Sequence, residues 1–196
     1  MSLPSRPRVW GLVLAGGQSR RFTHGAKALE PLGDRPLVAH VLRRLQPQVE
    51  DLWISSGPGP LSMEELPEAL RKLPCLPDPE PRFRGPLAGL AMGLAAMHRA
   101  VTARATADDA PAWLQLAPCD APFLPTDMVE RLFGDEPLMA DPACRVRVPR
   151  LDGHLQPTFA AWHASTLEAV EGALAQRGGA GLLEVLRGLP HRVVDW

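Results

Sequence analysis

The sequence predicts an α/β protein, a mostly parallel sheet with helices covering both faces. Three observations carry that prediction. Short apolar runs of strand length alternate along the chain with longer segments in which apolar residues recur at helical spacing. Several apolar runs end directly in glycine, serine or aspartate, where a strand gives way to a loop. The chain has 196 residues and 45% apolar content, ample for one core.

The elements follow in order. The first strand is expected at residues 9–14, Val9-Trp10-Gly11-Leu12-Val13-Leu14, an apolar run of the kind that becomes buried. Residues 36–46 carry Leu37, Val38, Val41, Leu42 and Leu45 as a helical stripe, with Pro36 suited to a first turn that needs no N–H from it. Residues 52–55 form the second strand. A proline-rich loop then leads to a short helix expected over 62–72, and Leu76 sits in a third, short strand before Asp78. Gly85-Pro86-Leu87-Ala88-Gly89 opens a long helix to about residue 103, whose glycines and alanines allow close packing on a sheet. Residues 106–111 read as a surface linker. Residues 113–117 are the central strand, which runs straight into Pro118-Cys119-Asp120. A helix is expected over 125–133, strands over 145–149 and 158–162, then two helices and a final strand over 191–194. No repeat or composition break divides the chain, so residues 1–196 are expected to form one domain.

Composition narrows the function. A formal net charge of −1 and a pI near 6.6 argue against a nucleic-acid surface, which needs a basic face. Cys75, Cys119 and Cys144 are odd in number and lack metal-site spacing, so a reducing, cytoplasmic setting is expected rather than a disulfide framework. No apolar stretch approaches the ~20 residues of a membrane span, and the start has no secretory pattern. No Ser/His/Asp spacing suggests acyl transfer. His40 and His163 fall in expected helical segments, and His98 near a helix end reads as partly solvated.

The most informative segment is Leu14-Ala15-Gly16-Gly17-Gln18-Ser19-Arg20-Arg21, followed by Lys27. Two glycines at a strand end let backbone N–H groups approach an anion, and Arg20, Arg21 and Lys27 supply positive charge for a triphosphate. The chain has two lysines, Lys27 and Lys72, against nineteen arginines, so the ammonium at 27 stands out. The same residues also suit a tight strand-to-helix connection with solvated charges. Neither the P-loop ending nor the dinucleotide fingerprint is present. In an open parallel sheet, ligands collect outside the carboxyl ends of the strands, where this loop, Ser55, Asp78 and Asp120 are all expected. Asp120 is the metal candidate, because a carboxylate fixed after a buried strand suits Mg²⁺ shared with substrate phosphates. A helix-capping role is the other reading, which Ala121 and Pro122 weaken by delaying the next helix. Cys119 reads as a small buried neighbour.

Residues 14–27 resemble the signature loop of nucleotidyltransferases, specifically the molybdenum cofactor guanylyltransferase family, whose loop runs Leu-Ala-Gly-Gly-x-x-x-Arg-Met-Gly-Gly-x-Asp-Lys. The likeness continues through Lys27-Ala28-Leu29, Pro36-Leu37 and His40-Val41. It recurs in Pro118-Cys119-Asp120-Ala121-Pro122-Phe123-Leu124-Pro125, similar to the family's Pro-Cys-Asp-x-Pro-x-x-Pro metal segment, and in Gly85-Pro86-Leu87-Ala88-Gly89 seven residues after Asp78. The resemblance implies a Rossmann-like fold of nucleotidyltransferase type. It also implies GTP contacts from Leu14, Ala15, Gly16, Gly17, Arg20, Arg21, Lys27, Ser55, Asp78, Gly85 and Asp120. Gln156-Pro157-Thr158 resembles the segment on the family's acceptor side, and from composition alone is merely the start of a strand. Related cytidylyltransferases carry alanine where Gly16 stands, so the missing β-carbon is expected to leave room for a purine edge.

The chemistry expected is in-line transfer of GMP from GTP to the phosphate of molybdopterin bearing molybdenum, with pyrophosphate leaving. A phosphate monoester is already largely anionic at neutral pH, its second pKa being near ~6, so no general base is required. Mg²⁺ on Asp120 and the cations Lys27, Arg20 and Arg21 would stabilise charge, with Lys27, Arg21 and Asp120 catalytic. Molybdenum-insertion proteins or molybdoenzyme chaperones are the partners such a product implies. Two departures stand out. Phe22-Thr23-His24-Gly25-Ala26 replaces the family's two glycines and aspartate, and the chain ends at Val194-Asp195-Trp196 where the family continues into an asparagine-bearing segment. They keep open a non-catalytic nucleotide-binding homologue that handles the cofactor. A transferase acting on another small phosphate is the third reading.

Overall fold

The computed structural model describes residues 7–16, 27–57, 61–77, 85–104, 111–134, 142–176 and 181–196. In chain order these form β1 (Arg8–Leu14), β2 (Pro31–Leu32), β3 (Arg35–Pro36), α1 (Leu37–Leu45), β4 (Leu52–Gly57), β5 (Cys75–Pro77), α2 (Pro86–Ala103), β6 (Ala112–Pro118), α3 (Met128–Phe133), β7 (Val146–Leu151), β8 (His154–Leu155), β9 (Ala161–His163), α4 (Leu167–Ala175), α5 (Leu182–Arg187) and β10 (His191–Asp195). The main sheet runs β10-β7-β9-β6-β1-β4-β5, with β8 hydrogen-bonded to β7. Along that path β9 alone is reversed, and the other six strands point the same way. The fold is therefore the expected mixed, mostly parallel sheet.

The central strands β1 and β6 are buried along almost their whole length on both faces, which is why their sequences are apolar nearly throughout. Val9 and Val13 of β1 face one cluster, built with Val38, Val41, Leu42 and Leu45 of α1 and with Met128 and Leu132 of α3. Trp10, Leu12 and Leu14 face the other, built with α2, α4 and α5. The α1 stripe follows the 3.6-residue period, and Val38, Val41, Leu42 and Leu45 are each 0% exposed. Burying one such side chain contributes about 1.5–3 kcal/mol, so this stripe holds α1 to the sheet. On the opposite face α2 lies unusually close. A β-carbon at Gly93 would come within 2.6 Å of Leu12 Cδ2 and 2.7 Å of Leu114 Cδ2.

Several elements differ from expectation for local reasons. The helix expected over 62–72 is two short 3₁₀ turns, Met63–Glu65 and Glu68–Leu70, with Pro67 between them. Proline lacks an N–H and turns the preceding residue away from helix. The helix expected from 125 begins at Met128, with Asp127 at its N-cap in a non-helical backbone state (φ −124°), its carboxylate paired with Arg131 (2.8 Å) rather than capping the first turn. Gln48 supplies the missing acceptor, its Oε1 taking the Val129 N–H at 3.0 Å. The strand expected over 158–162 is a 3₁₀ turn, Pro157–Phe159, followed by β9. His163 ends β9 rather than lying in a helix. The β2–β3 and β7–β8 hairpins were not expected. Asp152 and Gly153 turn the second, both with positive φ (49° and 78°), as an Asp-Gly hairpin turn requires. Of the linker expected over 106–111, residues 106–110 lie outside the described residues. Among the described residues no helix is long and apolar enough to cross a membrane.

Candidate active site

Register brings three strand ends to one level. Leu14 of β1 is paired with Ser55 of β4 on one side and with Pro118 of β6 on the other. The chain leaves all three strands there, so the loop after β1 and the segment bearing Asp120 start side by side. Backbone bonds fix them: Ala15 N and Gly16 N both donate to Ser55 O at 2.8 Å, and Cys119 N donates to Leu14 O at 3.1 Å. Gly16 is required by contact, since a β-carbon there would lie 2.4 Å from both Cα and N of Gly57. This corrects the expectation that the absent β-carbon leaves room for a purine edge. The space belongs to the protein's own backbone.

The 3₁₀ turn Lys27–Leu29 returns the chain to this edge, anchored by the fully buried Ala28. From it the Lys27 ammonium forms an ion pair with the Asp120 carboxylate, bridging 93 residues of sequence. The side chains are 38% and 42% exposed, so the pair is open to solvent and to a ligand. An exposed pair of this kind contributes only about 0–1 kcal/mol, so exchanging either partner costs little. Cys119 beside it is buried. Burial first, then the Asp120 charge, pushes its thiol up to about 11, which excludes a thiolate nucleophile at neutral pH.

The Asp120 segment is held from behind. Ala121 N donates to Pro118 O (3.3 Å) and Leu124 N to Ala121 O (3.0 Å), while Leu124 is 1% exposed. Arg44 of α1 donates to Leu124 O at 3.1 Å, and Gln48 Nε2 donates to Pro125 O at 3.0 Å. Sequence reading passed over Arg44 and Gln48, because polar residues at a helix end carry no local sign of a distant partner.

Gly85 caps α2 with φ 93°, a backbone state that favours glycine, and it is exposed. The first turns of α2 lie at the same sheet edge, because Gly89 packs on Leu14 and Ser55. Ser55 itself is 3% exposed, with its side chain beneath Gly89, and is not turned into the open crevice. Gln156, Pro157 and Thr158 are half-buried and stand where the chain enters the reversed β9, which is the carboxyl end of its neighbour β6. They are tied down by Gln115, a fully buried residue of β6 whose Nε2 donates to Phe159 O at 2.8 Å. A glutamine inside the apolar run Trp113-Leu114-Gln115-Leu116 was the available signal for that role. Gly17, Arg20, Arg21 and Asp78 lie outside the described residues. A cavity of about 170 Å³ beside Leu52 and Leu73 is at the amino end of β4, opposite this crevice.

Comparison with known proteins identifies the family. The MobA-like NTP transferase domain model matches residues 11–193. A molybdenum cofactor guanylyltransferase from Burkholderia ambifaria is 36% identical over 177 residues, covering 89% of this chain and 80% of that protein. One from Cupriavidus necator is 35% identical over 194 residues, covering 97% and 87%. The structure of molybdopterin-guanine dinucleotide biosynthesis protein A from Archaeoglobus fulgidus superposes with a TM-score of 0.70 at 20% identity, over 95% of this chain and 83% of that one. With a family model spanning nearly its whole length and relatives at this identity across most of it, the chain belongs to the MobA-like NTP transferase family, a nucleotidyltransferase family.

Proposed function

We propose that this enzyme is a molybdenum cofactor guanylyltransferase. It transfers GMP from GTP to the phosphate of molybdopterin-bound molybdenum cofactor, giving molybdopterin guanine dinucleotide and pyrophosphate. The observation that carries the reading is the Lys27–Asp120 pair at the edge of a glycine loop, in a chain whose relatives bear that name.

The chemistry follows from charge. An oxygen of the acceptor phosphate forms a bond to the α-phosphorus of GTP as the bond to the bridging oxygen breaks and pyrophosphate departs. The attacking oxygen is already anionic, so the protein's task is alignment and charge stabilisation. Asp120 is the residue that would hold Mg²⁺: a half-exposed carboxylate gives a hard oxygen ligand, and phosphates and water complete the shell such an ion prefers. When bound, the ion neutralises charge on the triphosphate. Lys27, paired with Asp120 here, would turn to a phosphate oxygen of the nucleotide and place its charge where negative charge develops. Arg20 and Arg21 are assigned to the same triphosphate from sequence. The backbone of Leu14, Ala15, Gly16 and Gly17, with Asp78 and Gly85, is assigned to the nucleoside, Ser55 lying beneath α2 as a support for that backbone, and Gln156, Pro157 and Thr158 are assigned to the acceptor.

The test is pyrophosphate release with molybdenum cofactor and Mg²⁺, comparing GTP with CTP. Release is expected to need GTP, acceptor and metal together, and to fall at least about 100-fold in Lys27→Ala and Asp120→Ala. GTP binding without release would leave a non-catalytic cofactor-handling protein. Release with a different small phosphate alone would replace the acceptor assignment.

A further inference from the structure

Phe123 is 80% exposed, far more than any other large apolar side chain among the described residues. The others that stand out, Leu151 at 50% and Leu32 at 38%, each belong to a two-strand hairpin closed by a tight turn. Phe123 lies instead on the segment leaving β6, three residues after Asp120. Three residues span at most about 10 Å, so this ring stays within reach of whatever occupies Asp120. The segment has little freedom. Pro122 and Pro125 restrict it, Leu124 is anchored in the core, and Arg44 and Gln48 hold the carbonyls of Leu124 and Pro125. A rigid backbone therefore presents one apolar aromatic face to solvent beside the candidate metal carboxylate.

We infer that Phe123 is a stacking platform for the fused pterin ring of the acceptor, an inference that rests on the guanylyltransferase reading. The side of the sheet decides which ring it meets. The nucleoside residues Leu14–Gly16 end β1 on its β4 side, and Gly85 caps the start of α2. Phe123 follows β6, whose other neighbour is β9 with the Pro157–Phe159 turn, and its anchor Leu124 packs on the α1 face of the sheet, opposite α2. The reacting phosphate of the acceptor must come to Asp120, so the ring tethered to that phosphate lies on the Phe123 side. The flat pyrimidine half of the pterin gains most from an offset or edge contact with an exposed phenyl face, and no polar group of Phe123 competes.

The experiment compares wild type, Phe123→Ala and Phe123→Trp. Phe123→Ala is expected to raise KM for the molybdenum cofactor about tenfold, the size base-on-aromatic stacking gives, with KM for GTP unchanged. Phe123→Trp restores the acceptor KM, and melting temperatures stay level because the side chain is exposed. Equilibrium dialysis of the cofactor without GTP, read as bound molybdenum, repeats the comparison without turnover. An unchanged acceptor KM and affinity in Phe123→Ala, or an equal rise in KM for GTP, overturns the platform. If the wild type releases no pyrophosphate yet binds the cofactor, and Phe123→Ala weakens that binding, the platform stands and the transfer reading fails. Absence of cofactor binding by the wild type overturns both.

Discussion

Lys27 reaches Asp120 because a three-residue turn pinned by Ala28 ends opposite the carboxyl end of β6. In the absence of nucleotide each group satisfies the other, so an ammonium and a metal ion compete for one carboxylate. Lys27→Met is accordingly expected to bind Mn²⁺ alone severalfold more tightly than wild type while losing transfer activity. Electron paramagnetic resonance of free Mn²⁺ measures the first effect, and equal or weaker affinity in the variant would refute competition. At the same scale, Gly16 needs its missing β-carbon for a reason no motif states: Gly57 backbone lies in the way.

Among the elements, α4 offers a pH-dependent contact. Before its first turn, His163 Nδ1 accepts the Ser165 backbone N–H at 3.2 Å and lies 2.8 Å from Ser165 Oγ. An N–H cannot accept, so Nδ1 must be unprotonated for this turn to form. Burial first, then the Arg145 charge, lowers the His163 pKa below the ordinary 6.5. The unfolded chain therefore binds the proton more readily, and stability falls as pH drops below about 6.5 toward the lowered folded value. Thermal unfolding measured from pH 7.5 downward is expected to show that loss, and His163→Asn to flatten it. A profile unchanged by the substitution would remove His163 as the cause. The short elements also explain the missed boundaries, because Pro67 and Pro157 act on single turns whose outcome depends on what packs beside them.

For the whole molecule, the sheet's order and the closeness of α2 decide where the loops meet. Gly93 and Gly89 let α2 settle onto β1, β4 and β6, which brings its first turns to the crevice. Gly93→Val is expected to destabilise the protein by about 1–3 kcal/mol through overpacking against Leu12 and Leu114, measured by urea unfolding. No change in the midpoint would mean that the helix can lift from the sheet without penalty.

By itself the sequence determined the central strands and the main helices α1 and α2, the loop after β1, the unusual lysine and the aspartate after the central strand. These are local signals: apolar periodicity, glycine at a strand end and charge in a loop need only neighbouring residues to be read. Tertiary structure alone decided that β9 is reversed, that Lys27 closes on Asp120, that Ser55 is covered by α2, and that Gln115, Arg44 and Gln48 brace the loops. Each depends on which segments become neighbours across the sheet, and pairing between residues tens of positions apart is set by the packing of the complete core rather than by any short stretch of chain.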